Sequence, residues 1–125
     1  MQFRSDKENI IVTMTFELAL QIITYTTELE KERKFNMANQ LLRCGTSIGA
    51  NVHEAQNAES KADFIHKMKI AAKEADETLY WLNLCETANS YYSPSNEPKI
   101  NLESIIKILS KIIGTSKRNK QNNIQ

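Results

Sequence analysis

The sequence predicts an all-α protein, an antiparallel up-down-up-down four-helix bundle, and three observations carry that prediction. Apolar residues recur at helical spacing in four long segments. Three Gly and two Pro are the sole strong helix breakers in 125 residues, too few for the many Gly-rich turns of a sandwich or barrel. The connections between the segments are short, which places successive helices side by side and antiparallel. The length suits a single domain over residues 1–125, able to bury roughly two thirds of its unfolded surface.

The first helix is expected from Ser5 to about Lys31, with Glu8 three residues after Ser5 as the second half of a capping box. Ile11, Leu18, Ile22, Tyr25 and Leu29 fall on one stripe, and Val12, Phe16, Ala19 and Ile23 on a second, roughly 120° away at 100° per residue. The combined apolar arc exceeds the ~100° that a surface helix buries. It implies a second neighbour, either a further helix of the bundle or another subunit.

The second helix is expected over roughly Asn36 to Glu59, with Met37, Leu41, Ile48, Val52 and Ala55 facing the core. Beside them runs a line of small residues, Ala38, Gly45 and Gly49. Each helix-interior Gly costs about 1 kcal/mol relative to Ala, so Gly45 and Gly49 predict close approach of a neighbouring backbone. Gly45-Thr-Ser-Ile-Gly49 is not a phosphate loop, because it lacks the Lys-Ser/Thr ending and follows a helix rather than a strand.

The third helix opens with Ser60 as cap and Asp63 three residues on, and continues to about Asn89. Phe64, Met68, Ala71, Ala72, Ala75, Leu79 and Leu82 form its core face. Ile70, Trp81, Leu84 and Ala88 share the opposite side, and an exposed Trp with apolar companions predicts a subunit or partner interface. After a loop holding Pro94, Pro98 sits in the first turn of the fourth helix, where its missing N–H is harmless. Leu102, Ile105, Ile106, Ile108, Leu109, Ile112 and Ile113 point inward, Lys107 and Lys111 outward. Gly114 is the expected end signal, with a disordered basic tail from about 115.

No apolar run approaches ~18 residues, so no membrane span is expected. The polar start lacks a cleavage-site pattern, and Cys44 and Cys85 are too few for a disulfide framework. A reduced, cytoplasmic protein is the simplest expectation. The net charge is +1, yet residues 91–125 hold six basic and two acidic residues. Lys107, Lys111, Lys117, Arg118 and Lys120 are therefore candidates for nucleic-acid contact, although a solvated, frayed terminus is the more ordinary reading of the tail. Arg43, the sole Lys or Arg between Asn36 and Ser60, is a separate candidate, for nucleic acid or an intersubunit ion pair.

Nothing in the chain predicts catalysis, a cofactor or a metal. Asp63 and His66 have the carboxylate-x-x-His spacing used in di-iron bundles, but such a site needs a second pair and two further carboxylates. The two cysteines have no base and orienting group beside them in sequence. Zinc, dinucleotide, nucleophile-elbow and kinase signatures are all missing.

The run Leu41-Leu-Arg-Cys-Gly-Thr-Ser-Ile-Gly-Ala-Asn-Val-His-Glu-Ala55 is distinctive, as are Glu59-Ser-Lys-Ala-Asp-Phe-Ile-His66 and Ile70-Ala-Ala-Lys-Glu-Ala-Asp-Glu-Thr-Leu-Tyr-Trp-Leu82. Together they closely resemble the bacterial four-helix-bundle family first noticed as reading frames in intervening sequences of large-subunit ribosomal RNA genes. Cys44 departs from the pattern, which has Ser there, a nearly isosteric exchange. The resemblance implies protomers assembled into a ring, a homopentamer in relatives of known structure. The accessory proteins of diversity-generating retroelements are similar in fold, which implies a basic ring surface engaging RNA or a ribonucleoprotein. The expected function is thus a non-enzymatic oligomeric scaffold with nucleic acid as partner. The competing reading is a protein-interaction module that docks a partner on an exposed apolar helix face.

Overall fold

The computed structural model describes residues 6–124, with side chains from Ile10 to Asn119. Four helices follow in order: α1 (Asp6–Lys31), α2 (Phe35–Ala55), α3 (Lys61–Thr87) and α4 (Asn96–Ile124). α1 packs against α2 and α4, and α3 against the same two, so the helices form a square bundle without diagonal contacts. The expected cap at Ser5 and its partner side chain Glu8 lie outside the described residues.

Each helix contributes one stripe to the core at alternating three- and four-residue steps. On α1 it is Ile11, Leu18, Ile22, Tyr25 and Leu29, joined by Thr15, whose hydroxyl donates to the Ile11 carbonyl at 2.8 Å. On α2 it includes Leu41, Cys44, Ile48, Val52 and Ala55. On α3 it is Ile65, Met68, Ala71, Ala75, Thr78, Leu82 and Cys85, while Phe64, Ala72 and Leu79 are half-buried at its edge. On α4 it is Leu102, Ile105, Leu109 and Ile112, with Ile106, Ile108 and Ile113 half-buried beside them.

The connections explain where the helices stop. Arg33 adopts φ 62, and Lys34 N–H donates to Leu29 O at 2.9 Å while Arg33 N–H donates to Glu30 O at 2.9 Å. This is a Schellman ending with arginine in the position that usually favours glycine. α2 ends at Ala55 rather than near Glu59, because Gln56, Asn57 and Ala58 turn back onto the carbonyls three residues earlier. Ser60 then caps α3, accepting from Asp63 N–H at 3.0 Å. The α3–α4 loop is tied to the far end of α1: Tyr25 donates its hydroxyl to Tyr92 O at 2.5 Å, and Glu32 accepts from Tyr92 N–H at 3.1 Å. α4 does not stop at Gly114. Ser116 continues the Ile105–Leu109–Ile112 stripe and is buried, so the turns after Gly114 pack on the bundle and the helix runs to Ile124.

α1 also departs from expectation. Ile10–Lys31 is long and apolar enough, by length and composition, to cross a membrane, yet 33% of its most apolar window is buried inside the bundle. The cause is the second apolar stripe. It raises the helix's hydropathy without being covered by α2 or α4, leaving Phe16 66% and Ile23 44% exposed.

Candidate nucleic-acid interface

Pairing α3 with an antiparallel α4 brings the start of α3 beside the end of α4. Lys69 on α3 thereby meets Lys117 on α4, close enough that Lys117 depresses the Lys69 pKa from its ordinary value. The Lys117 ammonium makes protonation of Lys69 less favourable, and an anion placed between them relieves that repulsion. Lys73 follows Lys69 by one turn and is exposed. On α4, Lys107, Lys111 and Arg118 are exposed and separated by four and seven residues, so they share one line along roughly 16 Å of helix. Arg118 also donates to Thr115 Oγ1 at 3.2 Å.

Several other cations are engaged elsewhere. Arg43 reaches from α2 to Glu74 at 3.3 Å, to Glu77 and to Gln40 on α3 and α2. Within the protomer it bridges α2 to α3 as an ion pair. Lys67 pairs with Glu54 at 3.1 Å and Lys99 with Glu86 at 3.5 Å. Among the described residues, Lys69, Lys73, Lys107, Lys111 and Lys117 have no carboxylate within ion-pair distance. The side chain of Lys120 lies outside the described ones. Lys69 and Lys73 escape notice in the sequence because Glu74, Asp76 and Glu77 follow them closely; in the fold Glu74 and Glu77 are taken up by Arg43 of α2, while Asp76 stays on the Lys69–Lys73 side of the helix.

The stripe expected at an interface is less open than its sequence suggests. Trp81 is half-buried: its indole N–H donates to Glu77 Oε2 at 3.0 Å and Tyr80 meets it edge-on at 5.2 Å. Ile70 and Ala88 are half-buried too, and of the four residues Leu84 alone is exposed, at 38%. The bonds from Trp81 and Arg43 hold the Glu77 carboxyl below its ordinary pKa. Gly45 and Gly49 sit at the α1–α2 contact, where a Cβ on Gly45 would fall 2.9 Å from Ile22 and one on Gly49 3.2 Å from the Thr15 carbonyl oxygen. Burial pushes the Cys44 and Cys85 thiols up, and Asp63 is occupied at the α3 cap, accepting from Glu59 N–H at 3.2 Å.

The profile of the 23S rRNA-intervening sequence protein family matches residues 7–114. The chain belongs to that family. Among solved structures, this 23S rRNA-intervening sequence family member is similar to a crystallised protein of unknown function from the S23 ribosomal protein family of Bacteroides thetaiotaomicron. The two are 42% identical with a TM-score of 0.80, over 86% of this chain and 98% of the other. No curated protein matches at a significant level. The family match ends before Lys117 and Arg118, whereas Lys69, Lys73, Lys107 and Lys111 fall inside it.

Proposed function

We propose that this family member is a non-enzymatic, oligomeric helical scaffold that binds structured RNA through the α3–α4 surface. The observation that carries the reading is the juxtaposition of Lys69 and Lys117 beside the exposed line Lys107, Lys111 and Arg118. Like charges brought together with no ion-pair partner among the described residues are what a phosphate backbone neutralises, releasing its own condensed cations as it binds. The surface holds ammonium and guanidinium groups, while the nearby aromatics Tyr80 and Trp81 pack on each other. Contact to phosphates, with recognition of RNA shape rather than base identity, follows from that composition. With a formal charge of +1 per chain, one protomer attracts RNA weakly. Repeating the patch in an oligomer converts weak contacts into a multivalent one.

The test is filter binding of a structured large-subunit ribosomal RNA fragment at low salt. Replacing Lys69 and Lys117 together by Gln should weaken binding and lower the salt slope by about two, close to one per phosphate no longer neutralised. Lys107→Gln with Lys111→Gln should do the same, while Arg43→Gln should leave binding unchanged. Binding indifferent to both Lys pairs overturns the proposal.

A further inference from the structure

Lys69 and Lys117 meet across the α3–α4 contact in surroundings poor in negative charge. On α3 the one-turn neighbours of Lys69 are Ile65, His66, Ala72 and Lys73, and on α4 those of Lys117 are Ile113, Gly114, Lys120 and Gln121. None of these is a carboxylate. From α4 the charged group that meets Lys69 is Lys117. α2 packs on the other flank of α3, where Lys67 takes up Glu54 at 3.1 Å. The backbone under the pair is fixed, because Met68 beside Lys69 and Ser116 beside Lys117 are both buried in the bundle. Both lysine side chains are nonetheless exposed, so a small reagent reaches them. Lys107 and Lys111 are exposed too, but they project from the outer side of α4, away from its core stripe and from α3. Lys31, Lys67 and Lys99 direct their ammonium groups at Glu28, Glu54 and Glu86.

An amine held beside a second cation gives up its proton more readily, and neighbouring positive charge is one of the ways a lysine is activated as a nucleophile. Of the pair, Lys69 is the member whose pKa is lowered, by Lys117. We propose that Lys69 is an acylation site whose acyl donor is an acyl phosphate, with the Lys117 ammonium holding the donor's phosphate. The free Lys69 Nζ attacks the acyl carbonyl and a C–N bond forms. The bond from that carbon to the phosphate oxygen breaks, and its electron pair leaves with inorganic phosphate. The surplus proton on nitrogen passes to the departing phosphate, so the exchange needs no oxidant or reductant. A phosphate dianion is a charge-assisted partner for Lys117, which a neutral thioester is not, and this selects between the two activated acyl classes. The amide product has lost the charge of Lys69. One consequence rests on the proposed function: acylation removes a cation from the RNA surface and weakens it.

The test is incubation of the purified full chain with acetyl phosphate near neutral pH, then proteolysis and mass spectrometry of each lysine. Lys69 should be acetylated several-fold faster than Lys107 and Lys111. Lys117→Gln should bring the Lys69 rate down to theirs, Lys117→Arg should keep most of the preference, and inorganic phosphate should protect Lys69 in the wild type. Position 117 is exposed, so both variants should retain the helical circular dichroism of the wild type. Equal rates at Lys69, Lys107 and Lys111, or a preference that survives Lys117→Gln, overturns the proposal. A Lys69 preference equally strong with a neutral acetyl thioester overturns the acyl-phosphate assignment. Filter binding of the acetylated protein tells the two readings apart: RNA binding that full acetylation of Lys69 leaves unchanged counts against the RNA surface, while the acylation site stands.

Discussion

Replacing Gly45 by Ala probes the closest approach of α1 and α2. By helix propensity alone the substitution should stabilise the protein by about 1 kcal/mol. The structure reverses the sign. The new Cβ would lie 2.9 Å from both Ile22 Cγ1 and Cγ2 and 3.3 Å from its Cβ. Ile22 has no exposed surface, and its branched Cβ is fixed in one rotamer on a helix. The methyl is therefore accommodated by shifting α1 against α2, at the ~1–3 kcal/mol that overpacking costs. The net effect is a loss of about 1 kcal/mol. With a urea m-value of roughly 1–2 kcal/mol/M, the midpoint falls by about 0.5–1 M. Gly114→Ala is the internal comparison, since among the described residues its Cβ meets only the Arg118 guanidinium at 3.6 Å, and it should stabilise by about 1 kcal/mol. Removing the obstacle completes the cycle: in an Ile22→Ala background, Gly45→Ala should become stabilising, because the methyl enters the void. A Gly45→Ala protein more stable than wild type in the unaltered background would refute the close approach of the two helices.

Two further outcomes follow from the titrating groups. Cys44 and Cys85 are fully buried with their thiols pushed up, so Ellman's reagent at pH 8 should label neither in the folded protein and both in urea; rapid stoichiometric labelling of the native chain would contradict their placement. Glu77 has a folded pKa below its ordinary 4.5, so its contribution to stability is fully present above that value and is lost as the pH falls through the depressed one. Glu77→Gln should lower the urea midpoint at pH 7, with the difference from wild type fading below about pH 4, and a difference independent of pH would remove the Trp81 and Arg43 bonds from the account.

Much of the fold is legible residue by residue. The stripes Ile11 to Leu29 and Leu102 to Ile112 follow from helical spacing, because a helix's own periodicity identifies the side it buries. Ser60 is visible for a similar reason, since a cap and its bond to Asp63 lie three residues apart. The first turn is not. Arg33 adopts a left-handed conformation that sequence associates with Gly, and the Tyr25–Tyr92 bond that anchors the second loop spans 67 residues. Gly114 misleads because Ser116 packs beyond it. The surface is hardest to foresee, since periodicity gives a helix's inner side but not its neighbours around the square. Arg43 finds Glu74 and Glu77 only when α2 meets α3, and Lys69 finds Lys117 only when α3 meets α4. The second stripe of α1 does announce an extra neighbour, and the structure narrows the choice: neither α2 nor α4 covers Phe16, Leu20 or Ile23.

The central claim is that repeated α3–α4 patches on an assembled scaffold bind RNA. Its most direct test is the light-scattering mass of the wild-type protein at low and high ionic strength, with and without a structured large-subunit ribosomal RNA fragment. The account predicts a mass several times 14.3 kDa at both ionic strengths, rising with RNA at low salt and returning to the protein-only value at high salt. An assembly whose mass RNA leaves unchanged at low salt would contradict it.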